Sequence, residues 1–297
     1  MTLEPHKRPV EPVEYGGEYF IPISIASLRL ESVPGFSLYF RPGAEQPFVL
    51  YREENTPFTA ETFERLQENR VETLYIQQKS RGEYYRYIEK YLDEFLADPE
   101  FGVKEKAHVL YNAAQAVVED VLDNPPSRDH IRRGKQVVRH TVDFMTAEDF
   151  LLEDFLRTIS CDYFLYTHSV NVVGYSIGLA MQAGISDRAT LREIANGALM
   201  HDVGMSTVPD YLITKHGPLS QTEWDIIRRH PVEGHRVMMD TGNLGEVALS
   251  IVRNHHEKLD GTGYPDRLKA GDISRFVRIV IIANVFDAMT TDRAYKE

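Results

Sequence analysis

The spacing of apolar residues changes from a strand-like to a helix-like pattern near residue 80. Between residues 19 and 53, three short runs rich in β-branched and aromatic residues are separated by Pro34-Gly35 and Arg41-Pro42-Gly43, which are typical turn sequences. A short helical stretch opened by Thr59 follows, and the segment VETLYIQ has the pattern of another strand. The first 80 residues therefore predict a small α/β domain of three or four strands, preceded by an extended, partly ordered arm over residues 1–18. We expect a regulatory or docking role for this domain.

From Glu83 onward the apolar residues recur at helical spacing. Tyr84, Tyr87, Tyr91 and Phe95 form a one-sided stripe, and two more amphipathic stretches follow, separated by Asn124-Pro125-Pro126-Ser127. The prolines end one helix and the serine can cap the next. Such helices could pack in a homodimer, although ordinary core packing explains the same stripes.

After Leu151 the chain is helical almost throughout, with loop-rich stretches around residues 204–220 and 259–274. A capping box, Ser220-Gln221-Thr222-Glu223, predicts the start of one helix between them. The whole pattern predicts an α+β protein. Its parts are a small N-terminal α/β domain over residues 1–80, a helical linker over 81–150 and an all-α domain over 151–297.

Composition and charge exclude several classes of protein. The chain of 297 residues is 42% hydrophobic and 26% charged, as in globular soluble proteins. Its formal net charge of −12 argues against a DNA- or RNA-coating protein, which needs a broad basic surface. No apolar run is long enough to span a membrane, and the N-terminus lacks the apolar core of a signal peptide. With a single cysteine, Cys161, these features predict a cytoplasmic protein.

Histidines are concentrated in the C-terminal half, where seven of the 11 lie between His168 and His256. His201-Asp202 ends an apolar-faced helix, so both side chains can enter one cavity, where carboxylate oxygens can bridge two metal ions. The dipeptide alone is weak evidence. It gains weight because five histidines and one aspartate fall on four successive predicted helices: His168, His201, Asp202, His230, His255 and His256. We expect His216 and His235 to be surface or supporting residues.

Two of these candidates have a distinctive local sequence. His230 precedes Pro231, which we expect to end its helix and expose the imidazole. His255 begins the string HHEKLDGTGYP, in which Gly261 and Gly263 are spaced for a tight backbone with positive φ. Tyr264 is held extended by Pro265.

The chain resembles the HD-GYP domains over residues 162–297. The resemblance rests on this string together with His201-Asp202, His230-Pro231 and the closing DAMTTDRAYK. The resemblance implies an all-helical HD-superfamily fold and a centre of two or three metal ions, usually iron or manganese. It also implies that the substrate is cyclic di-GMP, linearised to pGpG and in some members cut again to GMP. Family members usually continue with further helices, so we expect C-terminal helices to be missing here. Two metal ions can activate water and neutralise phosphate oxygens.

Carried over by position, the resemblance assigns roles to single residues. The implied catalytic pair is His201 and Asp202. The implied metal ligands are His168, His201, Asp202, His230, His255, His256 and Asn284. The implied nucleotide-binding residues are Gly261, Gly263, Tyr264, Pro265, Asp287, Arg293 and Lys296. The GYP loop of the family also suggests contact with diguanylate cyclase domains.

Three departures from the family pattern affect these expectations. Asn284 replaces the last metal-binding aspartate, and Asp287, one turn later, could substitute for it or support another ligand. Met205 replaces a lysine expected to contact the scissile phosphate, and loss of such a group costs roughly a hundredfold to a thousandfold in rate. Phe164 stands where three-metal members have a glutamate, which favours two metal ions.

Three functions fit these residues. The first is a metal-dependent phosphodiesterase for cyclic di-GMP. The second, suggested by Met205 and Asn284, is a catalytically weakened domain that binds cyclic di-GMP or a partner protein as an effector. The third is a phosphohydrolase for another nucleotide, such as a different cyclic dinucleotide or guanosine tetraphosphate.

Overall fold

The computed structural model of the protein describes residues 12–99, 101–123, 127–147, 165–215, 217–241 and 244–291. They form two compact units that divide between Ala116 and Val117. The α+β class is confirmed, because an antiparallel sheet occurs in the first unit and the second is helical. The predicted three-part division at residues 80 and 150 stays a prediction. Within the described ranges, no helix has both the length and the apolar character needed to cross a lipid bilayer.

The N-terminal unit contains a five-stranded antiparallel sheet in the order β1-β2-β5-β3-β4. The strand bounds are β1 Val13–Tyr15, β2 Glu18–Ser24, β3 Leu38–Phe40, β4 Val49–Arg52 and β5 Thr73–Gln77. The prediction of three or four strands was wrong by one, because β1 falls in the segment expected to be an arm. Gly16 and Gly17, both with positive φ, form the two-residue turn that pairs β1 with β2.

Helices accompany the strands of this unit and continue along the chain. Helix α1 spans Ala60–Glu68 and is capped by Thr59 as predicted; it is followed by α2 Arg81–Lys90 and α3 Leu92–Ala97. The Tyr84 and Tyr87 rings of α2 contact Phe36 edge-on, and all three side chains are buried. Helix α2, expected to belong to a linker, therefore contributes to the core of the N-terminal unit. Helix α4, Val103–Asp123, comes next.

The C-terminal unit is built from helices whose positions largely follow the apolar pattern. Their bounds are α5 Arg128–Met145, α6 Leu165–Gln182, α7 Arg188–Met200, α8 Asp210–Ile213, α9 Gln221–Ile227, α10 His230–Thr241, α11 Glu246–Asn254 and α12 Arg275–Thr290. Helix α7 is central, because it packs against α5, α6 and α11, while α12 packs against α6. Ser127 caps α5 and the Ser220–Glu223 capping box opens α9, as predicted.

Two glycines bring separate backbones into contact near the end of α7. Gly204 lies in a 3-10 helix, Val203–Thr207, and Gly234 lies in α10. A Cβ added to Gly204 would overlap the carbonyl oxygen of His230 and lie 2.7 Å from the amide nitrogen of Gly234. A side chain at 204 would therefore displace α10 and the histidine at its start.

Candidate metal centre

Two groups of potential metal ligands meet at Asp202. One group contains Asp202, His230, His255 and His256, and the other contains His168, His201 and Asp202. Within each group, one nitrogen or oxygen atom from every residue lies within 4.8 Å of the others. The structure thus brings together all six histidine and aspartate residues that the sequence placed at one site.

The Asp202 carboxylate lies between the histidines of the two groups, just after the C-terminus of α7. Its Oδ1 lies 3.2 Å from Nε2 of His230 and 3.5 Å from Nε2 of His255. Its Oδ2 lies 3.2 Å from Nε2 of His201 and 4.0 Å from Nε2 of His168. One carboxylate therefore presents a separate oxygen to each histidine group.

Backbone hydrogen bonds set the proton positions on three of these rings. Nδ1 of His201, His230 and His255 lies 2.8, 2.7 and 3.0 Å from the carbonyl oxygens of residues 198, 227 and 252. A carbonyl only accepts, so each Nδ1 donates, and in the neutral ring Nε2 keeps its lone pair. The Nε2 atoms of His230 and His255 face each other at 3.1 Å. Two lone pairs at that distance repel unless a cation lies beside them.

The buried polar atoms of the site also fit a bound cation. Nε2 of His201 is buried and makes no hydrogen bond of ordinary geometry within the described ranges, although Asp202 is near. A buried nitrogen with a lone pair needs a proton donor or a metal ion. The donor set of imidazole and carboxylate suits divalent first-row metals. The chain's own residues therefore fit a metal centre.

The electrostatics favour the metal-binding protonation state at Asp202, His255 and His256, whereas at His201 the charge of Asp202 outweighs burial and raises the pKa. Burial alone would raise the pKa of the Asp202 carboxyl, but the histidines around it hold the pKa well below its ordinary value. Burial lowers the pKa of His255 to about 4 and that of His256 well below its ordinary value. At neutral pH, Asp202 is thus ionised, and His255 and His256 are neutral with lone pairs available.

His168 is oriented from a distant part of the chain. Its Nδ1 lies 2.6 Å from Oδ2 of Asp287, and the side chain of Asn171 donates to Oδ1 of the same carboxylate at 2.8 Å. Asp287 is fully buried and its carboxylate contacts both His168 and Asn171, while its contact with nucleotide stays a prediction. Its place behind His168 is the supporting position that the sequence left open, since a carboxylate on Nδ1 fixes the ring and turns Nε2 toward the site.

We expect Asp287→Asn to weaken metal binding about 10- to 100-fold, because an amide holds the His168 ring less firmly and lowers its basicity. Asp272→Asn, an exposed aspartate in the loop before α12, is the matched control. Metal affinity is measured by competition with a chromophoric chelator. Equal affinities in the two variants would remove Asp287 from the support of the site.

The loop that contains Gly263-Tyr264-Pro265, called the GYP loop, packs on His256 of the first ligand group. The Tyr264 ring stacks on His256 with 4.8 Å between ring centres, and the Arg228 guanidinium lies 5.8 Å from the Tyr264 ring centre. Burial and the charge of Asp202 raise the pKa of Tyr264, so it stays a neutral phenol. Gly261 has φ of +78°, as the predicted tight turn requires, and a Cβ on Gly263 would overlap the backbone of Glu257 and Lys258.

Glu257 closes this loop and was not singled out in the sequence. Its side chain is almost fully buried and accepts hydrogen bonds from the amides of Asp266 (2.6 Å) and Leu268 (3.0 Å). Asp266 is held in turn by Arg253 and Asn254 of α11. The only sequence signal for Glu257 was its place directly after the two histidines.

The remaining candidates fall into three situations. Asn284 is buried on α12, one turn before Asp287. Arg293 and Lys296, like Phe164 and His216, lie outside the described residues. The expectation that His230 is exposed was wrong: it begins α10 and is buried, because Pro231 occupies the first turn of that helix instead of ending the previous one.

Comparison with known proteins identifies this helical region. The family profile described as HD domain matches residues 160–297. A protein named cyclic di-GMP phosphodiesterase PA4108, from Pseudomonas aeruginosa, is 37% identical over 142 residues, covering 48% of this chain and 34% of that protein. A protein named 3'3'-cGAMP-specific phosphodiesterase 2, from Vibrio cholerae, is 38% identical over 131 residues, covering 44% of this chain and 25% of that protein. The chain thus spans about a third or less of these relatives.

A solved structure supports the fold over a longer range. It is described as "Bd1817, a HDG"Y"P protein from Bdellovibrio bacteriovorus", and it superimposes with a TM-score of 0.60 over 92% of this chain and 89% of its own. The identity is 23%, so this likeness concerns the fold alone. Residues 160–297 are therefore similar to the HD domain family, whose profile they match, and within them lie the His-Asp core and the Gly263-Tyr264-Pro265 sequence.

Proposed function

We propose that the C-terminal unit is a metal-dependent phosphodiesterase that hydrolyses cyclic di-GMP to pGpG, GMP or both in bacterial second-messenger signalling. The observation that carries the proposal is the Asp202 carboxylate, with one oxygen toward His230 and His255 and the other toward His201 and His168. This arrangement suits two metal ions, for which we propose iron or manganese.

The proposed ligands divide into two sets that share Asp202. His230, His255 and His256 would hold one ion, and His168 and His201 the other, with Asn284 as a further oxygen donor from α12. When bound, such a pair of ions supplies Lewis acidity for attack by water on the phosphodiester. His201 and Asp202 are then the catalytic pair by virtue of holding the ions.

The chain's other residues bind and orient the nucleotide. The Tyr264 ring covers His256 and leaves a partly exposed rim, at which Gly261, Gly263 and Pro265 keep the backbone close. Arg228 places a guanidinium above Tyr264, and we propose that it neutralises part of the phosphate charge that Met205 cannot. Contacts of Arg293 and Lys296 with the nucleotide, a contact of the GYP loop with diguanylate cyclase domains, and a homodimer stay predictions.

Met205 offers a direct test of the reaction. It lies in the 3-10 helix after Asp202, and its amide donates to the Asp202 carbonyl at 2.8 Å. We expect Met205→Lys to raise kcat for cyclic di-GMP about tenfold, because a cation there can stabilise charge on the scissile phosphate. Metal content should stay the same. Met239→Lys, at an exposed methionine of α10, is the control and should leave kcat unchanged.

The function itself is tested by hydrolysis of cyclic di-GMP with protein loaded anaerobically with iron or manganese, the products being separated by chromatography. 3'3'-cGAMP is run in parallel, since one relative carries that specificity in its name. Turnover of cyclic di-GMP that is lost in His201→Ala/Asp202→Ala is the expected result. Two bound metals and retained nucleotide without turnover would replace the proposal by the effector function.

A further inference from the structure

A cavity lies on the C-terminal unit, between α5 and α7. Its volume is about 650 Å³, within the range of pockets that hold small ligands. The lining residues are Arg132, Lys135, Gln136, Arg139, Ala189, Arg192, Glu193 and Asn196. None of them belongs to the candidate metal centre, so this cavity needs its own explanation.

The cavity is basic in a chain whose formal net charge is −12. Three cations come from α5, where Arg132, Lys135 and Arg139 are spaced by three and four residues and so lie on one side of the helix. Arg192 adds a fourth from α7. The single lining carboxylate, Glu193, is directed toward the start of α11, where its Oε2 lies 3.5 Å from the amide of Ala248. The cations therefore outnumber the acids, and the acid is engaged elsewhere.

Carboxylates lie beside two of the arginines that line the cavity. Asp129 accepts from Arg132 at 2.7 Å, and Asp143 accepts from Arg192 at 2.7 Å. The Nε atom of Arg192 is nevertheless buried without a hydrogen-bond acceptor in the part of the chain that the structure describes. The Arg139 guanidinium lies 3.3 Å from Nε2 of His140. A buried guanidinium nitrogen and an exposed guanidinium thus border the same cavity.

We propose that this cavity binds a small anion with two or more phosphate groups, either a nucleoside polyphosphate or a free polyphosphate. Arginine forks match phosphate oxygens, and several cations around a concave surface retain them better than one. The amides of Gln136 and Asn196 in the lining can hydrogen-bond the polar edge of a base or a sugar. The concave form and the acidic remainder of the chain favour a small ligand over a nucleic-acid polymer.

Isothermal titration of the full chain with pyrophosphate and with GTP tests the proposal. The protein is stripped of metal first, so that phosphate does not bind an ion at the metal centre. We expect saturable binding at one site that weakens as NaCl is raised. Arg139→Glu and Lys135→Glu should each weaken it at least about tenfold, the loss expected for one charge-assisted contact. Arg236→Glu, which reverses an exposed arginine on α10, should have no effect.

The outcomes separate the two sources of phosphate. Equal affinity for pyrophosphate and GTP assigns recognition to the phosphates alone, and tighter binding of GTP assigns part of it to the nucleoside. Ligand-dependent protection of α5 and α7 in hydrogen exchange is expected in either case. Absence of saturable binding of both probes at millimolar concentration, or binding that both α5 variants leave unchanged, overturns the proposal. If Arg139→Glu fails to fold, Lys135→Glu and the exchange experiment decide.

Discussion

Asp202→Asn is expected to lower the hydrolysis of cyclic di-GMP at least about a thousandfold and to remove metal from both halves of the site. The native carboxylate offers one oxygen to each histidine group at 3.2 Å. An amide offers one oxygen only, and its nitrogen would direct protons at the lone pairs of one group. The substitution also removes the one carboxylate that the two groups share among the described residues.

The measurement combines kcat with metal content per chain on the same sample. Asp240→Asn is the matched control, since Asp240 is an exposed aspartate of α10 that lies 3.9 Å from the Arg236 guanidinium. It should match the native protein in both readouts. If Asp202→Asn kept two metals and a rate within tenfold of native, the shared-carboxylate centre would be wrong.

Gly204→Ala is expected to destabilise the C-terminal unit by about 3 kcal/mol and to reduce metal binding with it. The added Cβ would overlap the carbonyl oxygen of His230, and backbone cannot move aside as a flexible side chain can. Relief of the overlap shifts the start of α10, which carries the His230 imidazole facing His255.

The stability change can be read from this unit alone. Trp224 is the one tryptophan of the chain and lies in α9, so its fluorescence during urea unfolding reports the C-terminal unit. Gly271→Ala is the matched control, because no atom lies within 4 Å of a Cβ built at Gly271. It should stay within about 0.5 kcal/mol of native. Equal midpoints for the two variants would show that the backbone contact at Gly204 is dispensable.

The helices and the histidine cluster were predictable because both are local in sequence. His201-Asp202 and His255-His256 each end a helix with a clear apolar face, and Ser127 and Ser220 mark helix starts by their own chemistry. The error at His230 had a local cause too. Proline fits both the end of a helix and the first turn of the next, and the sequence alone does not choose.

Contacts between distant segments were not predictable in the same way. Asp287 contacts His168 although the two are 119 residues apart in sequence. Asn171 donates to the same carboxylate, and no sequence motif marks this contact. The basic cavity was hidden for the same reason. Arg132, Lys135 and Arg139 look like the solvated face of a helix until α7 adds Arg192 beside them.

That separation of 119 residues between His168 and Asp287 bears on the order in which the site forms during folding. Asp202, His230, His255 and His256 lie between the end of α7 and the residues just after α11, so they meet by closing shorter segments of chain, while His168 becomes fixed only when α12 docks on α6. Closure of a longer loop costs more entropy and is slower on average. We expect the histidines of α10 and α11 to gather first. In pulse-labelled refolding, amides of α10 and α11 should then be protected before those of α6 and α12, and a nascent chain would hold a single-ion site before a two-ion one.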